Sequence, residues 1–419
     1  MFKTLKNAWA VKEIRSKILF TLAMLFIYRL GNFIPLPFVN REALQSFFTA
    51  NNSSLLGFLD MMAGGALSRL SIFASNIYPY INASIIIQLL TVAIPKLEEL
   101  AKEGETGRKK INRYTRYLTI VLAVVQGIGT VFGLLRGTIT GGTWAKLLMV
   151  LCLVAGTQFL VFLGDQITEK GVGNGISLII FLGIIARLPD TVGQYFKLTK
   201  AGQYSLINVI VMVIAMIAIV AFVVLIQEGE RRIGVQYAKR VVGRKMYGGQ
   251  STHIPIKVNM AGVMPVIFST SFLGAFQTIG MITGGSFGKF METYLGYNSV
   301  AFAILNILLI IFFTFFYNEI QFNPIEYSKN LQQNGGFIPG IRPGRPTSDY
   351  LAKIVRRIGL VGAISLALLA TLPIILGSLL KMQTHFTGTG IIIVVGVVIE
   401  TIKQIEAQMM MRHYKGFLS

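Results

Sequence analysis

The sequence predicts an all-α polytopic membrane protein with ten transmembrane helices, and three observations carry that prediction. About ten apolar stretches, each about 17 to 25 residues long, run through the 419-residue chain. Each matches the roughly 20 helical residues needed to cross about 30 Å of hydrocarbon. The composition agrees: 53% of residues are hydrophobic, 14% are charged, and the mean hydropathy is +0.63, against about 25% charged residues in a soluble domain. Short loops thick with Lys and Arg divide the stretches. Lipid leaves unpaired backbone groups unsatisfied, so spans of this length and hydropathy must be helices and not barrel strands.

In chain order the spans read 18–34, 77–95, 117–135, 146–164, 172–188, 206–226, 260–282, 299–317, 358–380 and 388–403. The first follows the basic segment MFKTLKNAWAVKEIRSK and lacks a small-residue cleavage site after its apolar run, so it reads as a span and not as a removed signal peptide. The second has Pro79 in its first turn. The fifth opens on Gly171, Val172, Gly173, Asn174 and Gly175, a poor helix start; interrupted spans are tolerated where they line a protein cavity. Between the first two spans, residues 58–71 are too short and too charged to cross, and they read equally as a small re-entrant helix or an interfacial one.

The cations set the orientation. With a cytoplasmic N-terminus, the cytoplasmic segments hold 29 of the 39 Lys and Arg, and the positive-inside rule places both termini in the cytoplasm. The formal net charge of +21 has the same origin and does not by itself imply nucleic acid. Ten spans divide naturally into five and five, and an odd-numbered half repeated once must be inverted in the membrane.

Catalysis and metal binding find little to work with. Cys152 is the lone cysteine and lies inside an apolar span, which excludes an internal disulfide or thiolate cluster and marks a small core residue. His253, His385 and His413 fall outside the spans and far apart. With no HExxH and no carboxylate pair deep in a span, metalloprotease and aspartyl intramembrane protease chemistry lack their residues. The stretch 284–290, GGSFGKF, is only loosely like a phosphate loop, since no Ser or Thr follows Lys289 and it lies on the outer side. No cofactor and no enzymatic activity are expected.

An ion-coupled secondary transporter of a small solute is the serious alternative. Such proteins carry charged ligands near mid-membrane, whereas Arg29, Lys146, Arg187 and Glu400 fall towards span ends. The interior polar residues are neutral: Asn82, Gln88, Gln126, Gln158, Gln277 and Asn306.

Helical spacing says more. On the second span Ile77, Ile81, Ser84, Gln88 and Thr91 form one stripe, apolar outside and increasingly polar towards the cytoplasm. Ile393, Gly396, Glu400 and Gln404 repeat the pattern on the last span, and Gly173, Ile176, Ile180 and Gly183 set small residues around two isoleucines on the fifth. A cytoplasmic funnel closed by an apolar constriction has this pattern, and so has ordinary helix packing. Two cytoplasmic loops, 227–258 and 318–357, exceed the usual connection length and suit docking platforms for an acidic protein or RNA phosphates. A topogenic cluster beside anionic lipid has the same charge.

At seven segments the chain resembles the SecY family, the large subunits of bacterial protein-conducting channels, most nearly those of Gram-positive, Bacillus-like bacteria. They are GGALSRLSIFASNIYPYINASIIIQLL (64–90), EGETGRKKINRYTRY (103–117), GVGNGISLIIF (171–181), RRIGVQYAKR (231–240), STHIPIKVNMAGVMPVIF (251–268), GGFIPGIRPG (335–344) and QIEAQMMMRHYKGFL (404–418). The resemblance implies two inverted, pseudo-symmetric five-helix halves, 1–205 and 206–419, hinged on one side and opening on the other as a lateral gate. It implies a pore ring of Ile77, Ile81, Ile176, Ile180, Ile267 and Ile393, five of which lie on the stripes above. It implies a short plug helix around 58–71, with Asp60, Met61, Met62, Gly64, Gly65, Leu67, Ser68 and Arg69. The gate would lie between spans 2 and 3 and spans 7 and 8, with Asn82, Gln88, Asn259 and Phe268 at the seam; Asn82 stands where relatives often have Ser.

By the same resemblance, Arg231, Arg232, Lys239, Arg240, Arg244, Arg342 and Arg345 would meet the motor ATPase SecA and the ribosome. SecE-like and SecG-like small membrane subunits, a signal-sequence-bearing polypeptide substrate, anionic lipid and a bacterial plasma membrane complete the implied setting.

Overall fold

The computed structural model describes residues 9–50, 60–135, 137–237, 240–242, 245–247, 251–283, 288, 290–291, 293–294, 296, 299–380 and 388–415. In chain order its helices are α1 (Lys12–Gly31), α2 (Arg41–Ala50), α3 (Tyr78–Ala93), α4 (Pro95–Lys102), α5 (Glu105–Ile128), α6 (Thr143–Lys170), α7 (Gly175–Lys200), α8 (Leu206–Glu228), α9 (Met264–Thr283), α10 (Val300–Gln321), α11 (Pro324–Gln333), α12 (Arg345–Leu379) and α13 (Gly388–Lys415). Leaving out α2, α4 and α11, one helix stands at each predicted span. Seven are long and apolar enough to cross a membrane by those criteria alone, and α3 with α4 makes an eighth if the bent pair is one span. α9 contributes a shorter apolar helix, Met264–Phe276. α1 is apolar only beyond its first two turns, which hold Lys12, Glu13, Arg15 and Lys17.

Boundaries move where local chemistry demands. Pro95 removes a donor and forces Ile94 to an extended backbone (φ −110°, ψ 114°), so α3 and α4 meet at a bend of 101°. The tail of the predicted third span is a π-helical turn, Gly129–Leu134, which packs against α9. The fifth helix begins only at Gly175, where Asn174 Oδ1 accepts from Ser177 N at 3.2 Å. The glycines before it remain outside the helix, Gly173 at φ +87°.

The largest core cluster is drawn from α1, the segment before α3, α3, α6 to α10, α12 and α13. α8 joins it through Ile219, Val223 and Ile226, buries Met212 as well, and leaves Ile207, Ile214, Ile217 and Leu225 exposed. A helix apolar all round with one buried stripe is suited to lipid on its other faces.

The all-helical reading holds for the spans but not for the loops. Loop 227–258 forms β1 (Glu230–Tyr237), β2 (Arg240–Val242), β3 (Lys245–Tyr247) and β4 (Ser251–Lys257), and loop 318–357 adds β5 (Gly336–Phe337). β1 pairs antiparallel with β4, from Glu230↔Lys257 to Gln236↔Ser251, and its far end pairs with β5 through Gln236↔Phe337 and Tyr237↔Gly336. The order β4-β1-β5 makes the two loops one body. Ile233 and Val235 alternate inward along β1 and bury with Ile256, Leu331, Ile338, Leu351 and Val355.

Candidate functional site

Four helices deliver the six isoleucines to the centre. Ile77 caps α3 and Ile81 lies one turn inside it; Ile176 and Ile180 are on α7, Ile267 on α9 and Ile393 on α13. Ile77 and Ile393 are fully buried, Ile81, Ile180 and Ile267 nearly so, and Ile176 is half-buried against the same cluster. Glycine lets α6 and α7 approach closely enough to place the α7 pair. A Cβ on Gly175 would stand 2.0 Å from the Gly164 carbonyl oxygen, and one on Gly164 would stand 2.5 Å from Ile176 Cδ1.

Against this cluster lies the segment expected to act as a plug. Its described part is helical at Asp60–Met62 and then runs in turns to Ile77; residues 58 and 59 lie outside the described residues. Gly64 (φ +66°) and Gly65 (φ +84°) carry the reversal. Polar side chains tie it down from three directions. From α1, Tyr28 donates to the Ala63 carbonyl at 3.4 Å and Arg29 to the Gly64 carbonyl at 2.9 Å. Asn76 Nδ2 donates to the Met62 carbonyl at 3.1 Å. From α7, Arg187 forms an ion pair with Asp60 and donates to Ser68 Oγ at 3.0 Å, while Asp60 Oδ1 accepts from Ser68 N at 2.7 Å. Each neutral bond contributes about 0.5–1.5 kcal/mol, and removing one partner of a buried ion pair costs about 3–5 kcal/mol. Leu67 is buried and Arg69 stacks over the Phe33 ring at 4.5 Å.

Seating also needs a flat spot on α7. A Cβ on Gly183 would stand 2.4 Å from the Met62 carbonyl oxygen, a backbone atom that cannot swing away. Gly183→Val is therefore expected to lift the segment off α7 and raise resting ion leak in planar bilayers several-fold. Parental tightness in that variant would contradict the seating.

Beside this segment, α3 faces α9 and α10 across a seam. Gln88 Oε1 accepts a short hydrogen bond from Tyr317 of α10, and its Nε2 donates to Ser84 at 3.3 Å. Phe268 on α9 lies edge-on to Tyr317 and Phe313, with centroids 5.2 and 5.9 Å away. Ser269 Oγ donates to Asn306 Oδ1 at 2.6 Å, holding α9 to α10. Asn82 is half-buried, and Asn259 is buried with Nδ2 donating to the Gly262 carbonyl at 2.8 Å. Of the four predicted gate residues, Gln88 and Phe268 meet at one point through Tyr317, and Asn259 bonds within its own turn.

On the loop body, Arg231, Arg232, Arg342 and Arg345 are exposed, with Arg232 paired to Glu230 at 2.7 Å. Arg240 starts β2; Lys239 and Arg244 lie outside the described residues. Arg342 sits between Gly340 (φ +81°) and Gly344 (φ +98°), its carbonyl accepting from Thr347 Oγ1 at 2.8 Å while Ser328 Oγ donates to the Gly344 carbonyl at 2.6 Å. The turn is fixed, and the Arg342 guanidinium is exposed with no ion pair among the described residues.

Sequence reasoning missed Tyr28, Asn76 and Tyr317 and read Arg29 and Arg187 only as span-end charges. A signal was present: two arginines at the outer ends of spans need a partner, and Asp60 is the acid in the neighbouring segment. Cys152 is half-buried against an apolar cluster, and among the described residues no three metal-ligating side chains gather. The stretch 284–290 and His385 fall largely outside the described residues.

The chain as a whole is similar to known proteins. The SecY family matches residues 71–402. The protein translocase subunits SecY of Aquifex aeolicus and of Bacillus subtilis are each 43% identical to the chain, over 428 and 432 residues, with all of both chains covered. SecY of Halalkalibacterium halodurans is 45% identical over 433 residues, again with full coverage of both. Among solved structures, one described as the structure of a protein conducting channel superposes with a TM-score of 0.67 at 20% identity, covering 95% of this chain and 93% of that one. Sec61 in a canine ribosome-channel complex superposes with a TM-score of 0.63 at 19% identity, covering the same shares.

Proposed function

The chain belongs to the SecY family of protein translocase subunits, and we propose that it passes unfolded secretory polypeptides through the isoleucine constriction and releases signal sequences and transmembrane segments sideways into lipid. Membership overturns the solute-transporter alternative. One observation carries the reading: a segment held by breakable polar ties packs on the aliphatic cluster, beside a seam bridged by Gln88 and Tyr317. A constriction of six aliphatic side chains excludes water when idle and parts around a passing chain without binding it. The segment around 58–71 is the plug, the six isoleucines the ring, and Asn82, Gln88, Asn259 and Phe268 the gate. The halves 1–205 and 206–419 move apart about the opposite edge.

The protein is a multi-pass membrane protein. We place it in a bacterial plasma membrane with both termini cytoplasmic, supported by the 29 cations on that side. Exposed Arg231, Arg232, Arg342 and Arg345 on one rigid body support docking of SecA or a ribosome, which would supply the energy, and the basic face suits anionic lipid. SecE-like and SecG-like subunits would cover the apolar faces that α8 and its neighbours leave exposed.

Signal sequences are apolar helices that gain by reaching lipid while the following polar chain stays in the aqueous pore. One opening must serve both. With Cys152→Ser as background, cysteines placed near Asn82 on α3 and Phe268 on α9 are expected to block translocation when oxidised and restore it when reduced. Full translocation with the pair verifiably crosslinked refutes release through this seam.

A further inference from the structure

Beside the plug is a cavity of roughly 560 Å³, lined by Asp60, Arg41, Arg69 and Arg187 together with Phe33 and Phe48. Among the residues lining the cavity, three are cations and one is a carboxylate. Among the described residues neither Arg41 nor Arg69 has an ion pair. Asp60 is almost fully buried and engages Arg187 through Nη2, which also donates to Ser68 Oγ at 3.0 Å. The adjacent Nε is buried and has no partner. The guanidinium therefore offers an unused donor on the edge that Asp60 occupies, and a planar fork binds carboxylate or phosphate best through two parallel bonds.

Resting on the reading of this segment as a plug, we propose that the cavity is an anion site in which an external phosphate or carboxylate competes with Asp60 for Arg187. Anion binding and plug release are then coupled. When the plug leaves, Arg187 loses its ion-pair partner, and an entering anion takes the vacated edge of the guanidinium. When the plug is seated, Asp60 holds the donor that the anion needs. This difference in affinity between the two states is what a ligand requires to shift their balance. By reciprocity, whatever holds the plug out must tighten anion binding by the same factor. Arg41, on α2 outside the plug, adds attraction without touching the latch, while Arg69 moves with the plug; Arg187 stands at the outer end of its span in the proposed topology, so the effect is one-sided.

The test is planar-bilayer conductance of the full-length chain with its co-purifying subunits in zwitterionic phosphatidylcholine, with inorganic phosphate compared with chloride at equal ionic strength. Phosphate on the outer side is expected to raise opening frequency about tenfold, within the roughly 5- to 150-fold range of ordinary coupling, and to do nothing from the inner side. Arg187→Gln should open often without phosphate and ignore it. Asp60→Asn should also open often, yet respond at about tenfold lower phosphate, because the competitor is gone while the cation remains. Opposite shifts from two variants that loosen the same contact separate an anion site from simple loss of stability. A response that appears instead when phosphatidylglycerol is placed in the outer leaflet without phosphate, and that vanishes in Arg187→Gln, identifies a lipid headgroup as the anion and equally supports the site. Equal behaviour in phosphate and chloride with no lipid response, an unchanged phosphate response in Arg187→Gln, or an unshifted midpoint in Asp60→Asn overturns it. An isoleucine-ring variant measured alongside distinguishes the failures. Current from that variant with no anion effect sinks only this inference, whereas no current from any variant sinks the channel reading beneath it.

Discussion

Arg342→Glu is expected to abolish translocation driven by purified SecA while leaving expression, membrane insertion and subunit assembly intact. The turn that presents Arg342 is held by its own backbone and by Thr347 and Ser328, not by the Arg342 side chain, so reversing the charge leaves the loop in place. Gly340 and Gly344 occupy the left-handed region, where a side chain would be strained, and Pro343 fixes the angle between them. The exposed guanidinium is then a stiffly mounted fork of five donors, a geometry that Lys does not reproduce. Truncating one member of a buried interfacial charge pair costs about 2–5 kcal/mol, which is roughly 30-fold to several thousand-fold at about 1.4 kcal/mol per decade. Reversal adds repulsion. Arg342→Lys should keep part of the activity. In vitro translocation at the parental rate in Arg342→Glu would reduce the loop's charge to a topological signal.

The second large effect is at the constriction. Replacing several of Ile77, Ile81, Ile176, Ile180, Ile267 and Ile393 by Gly or Ser should make the resting channel leak ions in planar bilayers. An apolar constriction closes by excluding water, and a hydroxyl or a void at several positions at once removes that exclusion. Five of the six are buried, so each replacement also removes packing worth about 2–5 kcal/mol in a site that cannot collapse. Thermal unfolding of the purified variants must therefore accompany the conductance. Variants that remain folded with conductance indistinguishable from the parent would remove the sealing role from these side chains.

Legibility in the sequence followed the length scale of each interaction. Helical spans were visible because lipid imposes one length and one hydropathy on them, and the stripes holding Ile77, Ile81, Ile176, Ile180 and Ile393 were visible because helical periodicity is local. Ile267 lay on no such stripe and came only with the family resemblance. β1 was hidden in plain view: RRIGVQY alternates Ile233 and Val235 with exposed residues, but its arginines drew attention to charge, and its partners lie 15 to 27 residues away in β4 and about 100 residues away in β5. The plug's ties were hidden for the same reason. Arg187 and Ser68 are 119 positions apart, as Tyr317 and Gln88 are 229 apart, and no local period links such pairs. The proline bend at Ile94 was a local event, read as a span end instead of a corner.

α12 begins three residues after Arg342 and runs 35 residues, with Pro373 near its far end, a length of about 52 Å at 1.5 Å per residue. Its near end is clamped into the loop body by Leu351, Ile354 and Val355, and its far half is buried in the membrane core by Leu366, Leu369 and Ala370. Midway, Gly359 lies so close to Asn318 of α10 that a Cβ there would stand 2.5 Å from the amide nitrogen. Asn318 directly follows Tyr317, the donor to Gln88. If Arg342 is the docking tip, α12 is a lever with its handle there and its middle bearing on α10, which carries the Tyr317 bond to Gln88. If α12 pivots at its outer end, a tilt of about 5° moves the handle by roughly 4–5 Å and Gly359, 20 residues from the pivot, by roughly 2–3 Å. A hydrogen bond stretched by that amount is broken, so a rotation too small to rearrange any helix is large enough to unbolt the gate.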